Sequence, residues 1–385
     1  MKTNLKKLLY SGVTLMSLGV LAACSSTSSS TTTSSSITSS QSSTTSSNST
    51  SSDSSSSSID WSALPTTEVT LSNDGLKITE GGTYILTGST TAGVTVETDA
   101  NVRIILAGAE ISSSDTAAIN VIKADNVELE IQDGTSNTVK DTSSHSDINI
   151  EGAIHVEADL TITGNGNLTV EGNFQDGIVS TDDLVINAGN ITVIAVDDGI
   201  RGKDSTTING GTITVTAGGD GIKSSNDTDA TKGYTTITGG DITVKAGDDG
   251  IKAETVLTID GGTITVSESL EALEGTNITI NGGTVDVYAT DDGINAASDI
   301  YTDIFIKVTG GEIKVEVAQG DTDAFDSNGN LYISGGTIDV TAPTSAFDFD
   351  GSVEFTGGTV TVNGEQVTEI TQTGPGAAPG GHGGW

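Results

Sequence analysis

The chain has 385 residues, 52 of them acidic against 15 basic, and a formal net charge of −37 at pH 7. So acidic a surface excludes nucleic acid as a partner, because phosphate binding needs a basic footprint, and it points to cations instead. The single cysteine excludes an intrachain disulfide, so the folded part must be held by packing and hydrogen bonds.

Residues 1–23 read as a signal peptide, with Lys2, Lys6 and Lys7 ahead of a short apolar run from Leu8 to Ala23. Leu21-Ala22-Ala23-Cys24 resembles the lipobox of bacterial lipoproteins, which implies lipidation of Cys24. On this reading the protein is exported and anchored by lipid to the outer face of the cytoplasmic membrane, displayed at the cell surface. Residues 24–58 are almost entirely Ser and Thr after the cysteine, with too little apolar surface to repay the entropy of ordering. They are expected to form a disordered stalk, spanning roughly 30 Å as a coil and about 110 Å when stretched.

Residues 59–370 read as one folded domain with 12 basic and 51 acidic residues, a net of −39. Its sequence repeats. Asp176-Gly177-Ile178 returns as Asp198-Gly199-Ile200, Asp220-Gly221-Ile222, Asp249-Gly250-Ile251, Glu271-Ala272-Leu273, Asp292-Gly293-Ile294 and Asp323-Ala324-Phe325. A second marker, Thr207-Ile208-Asn209-Gly210-Gly211-Thr212-Ile213-Thr214-Val215, follows and recurs up to Glu354–Val362. The unit is about 22 residues, and two longer steps carry insertions. Each unit holds three short β-branched runs with period-two alternation and none with a helical period. Three strands per turn stacked on copies of themselves describe an all-β solenoid, a parallel β-helix with inward ladders of Ile, Leu and Val. Gly-Gly takes a tight corner. Residues 59–150 are less regular and are expected to supply the first rungs and a cap. A calcium-binding nonapeptide roll does not fit, since GG and DDG lie apart within a longer unit; a leucine-rich repeat lacks its Asn/Leu signature. Residues 371–385 are Gly/Pro-rich and read as a disordered tail in which His382 has no companion ligands.

Stacking also stacks the acids. Equivalent positions on successive rungs lie about 4.8 Å apart, where two charges repel by roughly 0.9 kcal/mol in water and about 3.5 kcal/mol at an effective dielectric of 20. A row of carboxylates with neither Cys nor His among them calls for hard cations, and Ca²⁺ fits the oxygen-only donors. The alternative is a solvated acidic edge whose DG pairs merely turn the chain.

The repeated DDGI(K/N)A followed by TI(D/N)GGTITV, downstream of a lipobox and a Ser/Thr stalk, resembles a bacterial family of carbohydrate-binding domains over roughly residues 64–367. Its members are calcium-loaded, right-handed parallel β-helices that bind cellulose and pectin-type acidic polysaccharide and are shaped like polysaccharide lyases. The resemblance implies calcium sites at Asp197, Asp198, Asp220, Asp248, Asp249, Asp291 and Asp292. It departs at Leu270-Glu271-Ala272-Leu273 and at Ser345-Ala346-Phe347, where calcium should be weaker or absent.

The function expected is non-catalytic, calcium-dependent binding of a polysaccharide, by a protein that is a monomer. Tyr234, Tyr288 and Tyr301, in or near inserted segments, are the candidate ring-stacking residues. The enzymatic alternative is a calcium-dependent pectate-type lyase, with Arg201, Lys223 or Lys252 as the base beside the metal; counter-ions to the Asp row are the plainer role for all three. A hydrolase would need a carboxyl held protonated as general acid, which a metal-quenched row does not offer. A structural adhesin shares the anchor and the stalk.

Overall fold

The computed structural model describes residues 59–298, 300–320 and 322–373. The signal peptide, Cys24, the stalk and most of the Gly/Pro tail lie outside the described residues. Among the described residues the one helical element is a 3-10 turn, Trp61–Ala63, capped by Asp60. No helix among them is long and apolar enough to cross a membrane.

The rest is a parallel β-helix whose strands fall on three faces. The first face carries Asp176–Ser180, Ile200–Gly202, Ile222–Ser224 and the start of Ile251–Ile259, each paired in parallel with the next. The second carries Asp183–Ile186, Ser205–Ile208, Tyr234–Ile237 and the end of Ile251–Ile259. The third carries Asn190–Ala195, Thr212–Ala217, Asp241–Lys245 and Thr263–Glu268. The less regular residues 66–140 join the same ladders as the first rungs. At the other end the pattern stops at Thr359–Val362, which pairs antiparallel with Glu365–Val367 and closes that edge against further strand addition.

Alternation buries one side of each strand. Ile213, Val215, Ile242 and Val244 face inward while the intervening threonines are exposed. On the first face Ile154, Ile178, Ile200, Ile222, Ile251, Leu273, Ile294, Phe325 and Phe347 form one in-register ladder. Every member is buried, and the two phenyl rings at its end lie 5.4 Å apart. Burial of a side chain of this size contributes about 1.5–3 kcal/mol, so the column is a main source of stability.

The two glycine markers make two of the three corners. At the Gly-Gly corner between the second and third faces, the second glycine takes a positive φ, 100° at Gly211 and 90° at Gly262, which a side chain rarely tolerates. At the Asp-Gly corner between the third and first faces the constraint is space. A Cβ on Gly250 would lie 2.5 Å from the backbone oxygen of Ala272 on the next rung. The insertions fall at the remaining corner, between the first and second faces, at residues 225–233 and 297–304.

Candidate functional site

The Asp-Gly corner builds a ladder of side-chain hydrogen bonds. Asp198 N donates to Asp176 Oδ1 (3.1 Å), Asp220 N to Asp198 Oδ1 (3.0 Å), and Asp249 N to Asp220 Oδ1 (3.0 Å). After a break at Glu271 the pattern resumes, with Asp323 N donating to Asp292 Oδ1 at 2.7 Å. Asp176, Asp198, Asp220 and Asp249 are buried, whereas the preceding Asp197, Asp248 and Asp291 are exposed. In Asp197-Asp198 and Asp291-Asp292, therefore, the second carboxylate knits rungs together and the first looks outward, whereas in Asp248-Asp249 the second joins the ladder through its N–H and its carboxylate holds Lys252.

Two residues beyond each glycine runs an outward-facing column in register: Val179, Arg201, Lys223, Lys252, Glu274, Asn295, Asp326, Asp348. Its sign changes along the axis. Arg201 pairs with Glu151 and, at 2.7 Å, with Asp176 Oδ2. Lys223 Nζ bridges Asp198 Oδ2 and Asp220 Oδ2, both at 2.8 Å, and Lys252 Nζ reaches Asp249 Oδ2 at 2.7 Å and Glu274. Burial alone would lower the pKa of each cation, but Asp176, Asp220 and Asp249 respectively reverse this and raise it. The chain thus supplies much of the counter-charge for its first acids.

Beyond Lys252 that supply ends. No ion pair with Lys or Arg holds Glu271, Asp292, Asp326 or Asp348 among the described residues. Burial first, and then Asp249, push Glu271 up to about 7; burial pushes Asp292 up to about 7, with Asp326, Asp291 and Asp323 adding repulsion. Asp326 rises to about 6 through burial and the charges of Asp323, Asp348 and Asp350. Among these acids sits Asn295, 7% exposed, whose buried Oδ1 has no hydrogen-bond partner.

Two groups of three carboxylates have oxygens within 4.8 Å of one another: Asp220, Asp248, Asp249, and Asp249, Glu271, Glu274. The donors are all oxygens, which fits a hard cation such as Ca²⁺. Lys223 and Lys252 already occupy part of both groups. The stretch Glu271, Asp292, Asn295, Asp326 has the same donor chemistry with no ammonium in it, and an amide oxygen left without a donor.

The two insertions make a second feature. They flank the only two rungs, among the described residues, in which one strand runs unbroken from the first face to the second: Ile251–Ile259 and Leu273–Ile280. The unbroken strands form a floor and the inserted loops its walls. A cavity of about 430 Å³ lies over Lys252, Glu254, Glu274 and Thr276, bounded by Asp227 and Tyr301. A second, of about 260 Å³, shares Thr276 and Tyr301 and continues over Thr255, Val256 and Asn277 to Asp303. A third, of about 430 Å³, takes over at Asp303 and passes Phe305, Lys307 and Tyr332. Shared linings make them one trough.

Tyr301 stands in the trough wall. Tyr234, 37% exposed, precedes the Thr235–Leu257 pair and so flanks Val256 at the edge of the floor. Tyr288 lies on the third face in register with Glu316, apart from both. Phe305 and Tyr332, with ring centroids 6.1 Å apart, were not singled out from the sequence. The signal was present in their register: both occupy outward positions of strands that elsewhere carry Thr, Asn or Lys there.

A three-faced parallel β-helix with a walled trough of hydroxyl and aromatic side chains is a rigid, elongated surface of the kind that suits an extended ligand. Residues 72–324 match the family described as carbohydrate-binding domain-containing protein, and the chain belongs to that family. A protein of the same description from Acetivibrio thermocellus is 34% identical over 135 residues, which is 33% of this chain and 47% of the relative. The chain thus spans about half the length of that curated relative. Among solved structures, a polysaccharide lyase-like protein from C. thermocellum, determined as a gadolinium derivative, aligns at a TM-score of 0.46 and 25% identity, over 77% of this chain and 96% of its own.

Proposed function

We propose that the protein binds polysaccharide without cleaving it, and that Ca²⁺ on its acidic edge engages an acidic, pectin-like glycan. The observation that carries the calcium reading is the stretch Glu271, Asp292, Asn295, Asp326: half-buried carboxylates with raised pKa values, no Lys or Arg ion pair, and an amide oxygen without a donor. Glu271, whose oxygen lies within 4.8 Å of those of Asp249 and Glu274, would hold the ion, with Asp292, Asn295 and Asp326 extending the same donor set, and Asp248 with its neighbours Asp220 and Asp249 is the second candidate group. Bound there, Ca²⁺ supplies a hard positive charge shared between protein carboxylates and the carboxylates of a uronate polymer. The site thus moves, relative to the expectation from the DDGI pattern, toward the rung with the deviant Leu270-Glu271-Ala272-Leu273.

The three cations favour binding over chemistry. A lyase base must give up its proton near neutral pH, yet Arg201, Lys223 and Lys252 are ion-paired and hold theirs more tightly than free side chains do. At the membrane, the same reading has Cys24 lipidated and the Ser/Thr stalk carrying the solenoid outward.

The test combines melting and retention. Calcium is expected to raise the melting temperature, because a ligand bound by the native state alone stabilises it, and to be required for retention on immobilised polygalacturonate. Equal melting and equal retention in chelator would sink the calcium reading. Release of unsaturated, ultraviolet-absorbing products from polygalacturonate would sink the non-catalytic one. Labelling with a radioactive fatty acid, lost in Cys24→Ser, checks the anchor.

A further inference from the structure

We infer that the trough between the two inserted loops docks a basic polypeptide segment, held extended, with an arginine side chain at the Phe305–Tyr332 ring pair. This goes beyond the polysaccharide reading and stands independently of it. It gives the trough a partner whose charge is opposite to that of the polymer at the acidic edge.

Construction comes first. Residues 225–233 and 297–304 are additions to the basic rung, and both emerge at one corner of the solenoid. They stand on either side of Ile251–Ile259 and Leu273–Ile280, and so wall a channel that neither would form alone. From Lys252 to Thr258 the floor runs about 20 Å at ~3.3 Å per residue, the span of about six residues of extended chain. Asn277 Oδ1, buried in the lining of this channel, has no hydrogen-bond partner. It is an acceptor, and the backbone N–H groups of a docked peptide are donors.

Charge selects the partner. Asp227 and Asp303 stand in the two walls, Glu254 and Glu274 in the floor, and Glu354 in the third cavity. Lys252 pairs with Glu274, but Asp227, Glu254, Asp303 and Glu354 are in no ion pair among the described residues. None of these four belongs to a group of three ligands close enough to share one metal ion. Carboxylates set so far apart call for several cations carried on one chain, which a basic peptide supplies and a bare ion does not. A polyuronate would meet repulsion here, and the net charge of −37 draws a polycation toward the channel.

The third cavity specifies the cation. Phe305 and Tyr332, with ring centroids 6.1 Å apart, line it together with Asp303 and Glu354. A guanidinium stacks its plane on an aromatic face and turns its edge to a carboxylate, whereas an ammonium is a compact, strongly hydrated charge. Lys307 is the opposing group. It is exposed, makes no ion pair among the described residues, and lies one register step from Tyr332 and two from Glu354. Its charge repels an incoming cation, so removing it should tighten binding.

The experiment is fluorescence anisotropy of a labelled octapeptide alternating Arg and Ser, and of its Lys counterpart, titrated with the full chain. Calcium is present to occupy the acidic edge, and salt is at about 0.15 M, where the Debye length is about 8 Å. The Arg peptide is expected to bind more tightly than the Lys peptide of equal charge. Tyr332→Ala and Glu354→Gln should each weaken it about ten-fold, as loss of one cation–π or one charge-assisted contact predicts. Tyr332→Phe keeps the ring and should retain binding, and Lys307→Gln should tighten it. Asp339→Asn, which removes an exposed acid from the third face, should change nothing. Three results overturn the inference: no binding of the Arg peptide, equal affinity for the Lys peptide, or an equal effect of Tyr332→Ala, Glu354→Gln and Asp339→Asn, which would report net charge alone. An unchanged or weakened affinity in Lys307→Gln does so too. Retention on polygalacturonate in calcium should be the same in every variant. Its absence in wild type sinks the acidic-edge reading and leaves a peptide-binding trough standing, and its persistence beside a failed peptide does the reverse.

Discussion

Replacing Asp220 separates a structural carboxylate from a metal-binding one. Its Oδ1 accepts the buried N–H of Asp249, and its Oδ2 holds Lys223 at 2.8 Å. Asp220→Ala leaves that N–H without a partner, which costs about 1–3 kcal/mol. It also strips Lys223 of one of two carboxylates, although Asp198 remains at 2.8 Å, so this loss falls below the about 3–5 kcal/mol of a fully broken buried pair. A total near 4 kcal/mol is expected. For a domain of about 315 residues the unfolding entropy near the midpoint is about 0.66 kcal/mol/K, so the melting temperature should drop by roughly 6 °C. Asp220→Asn keeps an oxygen for the Asp249 N–H and loses only charge, so in chelator it should drop less than half as far. Differential scanning calorimetry of both variants in chelator provides the comparison. Equal drops would show that the inter-rung hydrogen bond carries no weight, and with it the account of why aspartate recurs at this corner.

Glu271 and Asp292 at about 7, and Asp176 and Asp326 at about 6, all lie above their unfolded values, chiefly through burial. In chelator the native state therefore keeps protons that the unfolded chain has lost, and stability should decline as pH rises from about 4.5 to about 7. His155, lowered by burial to about 4, works the other way over pH 4 to 6.5 but is outnumbered. A melting temperature that climbs over this window in chelator would contradict the assignment. Calcium should abolish the decline, since it binds the deprotonated carboxylates, and Glu271→Gln should weaken the calcium-induced rise in melting temperature. In the core, Phe325→Ala should cost about 3–5 kcal/mol and Phe325→Leu less than about 1.5, because Leu273 already occupies the same ladder. Since each rung touches only its neighbours, hydrogen exchange in the alanine variant should accelerate in residues 323–362 before the N-terminal rungs.

The fold was legible because a solenoid writes its period into the chain. Ile200, Ile222 and Ile251 sit in register as the 22-residue alignment requires, and Gly211 and Gly262 turn the corner assigned to Gly-Gly. The site was legible only as a list of residue types. Sequence shows that Asp197 and Asp198 are adjacent; it does not show that one is exposed and that the other accepts the next rung's backbone N–H. Nor does it show that Arg201, Lys223 and Lys252 reach across rungs, because ion pairs spanning 22 to 25 residues leave no local pattern. Tyr301 was found through its insertion, whereas Phe305 and Tyr332 become partners only once two rungs are stacked.

Regularity and function occupy different parts of this repeat. A motif that recurs unchanged on every rung satisfies a requirement that every rung shares, such as an inter-rung hydrogen bond, a close backbone approach or an inward Ile. A ligand breaks the symmetry, since it touches particular rungs and not their copies. The departures should therefore hold the binding chemistry, and here they coincide. Leu270-Glu271-Ala272 interrupts the aspartate ladder where protein cations cease. The two insertions rise on either side of that same rung and its predecessor. The proposed calcium site and the walled trough both lie in the middle of the solenoid, at the rungs that depart from the repeat.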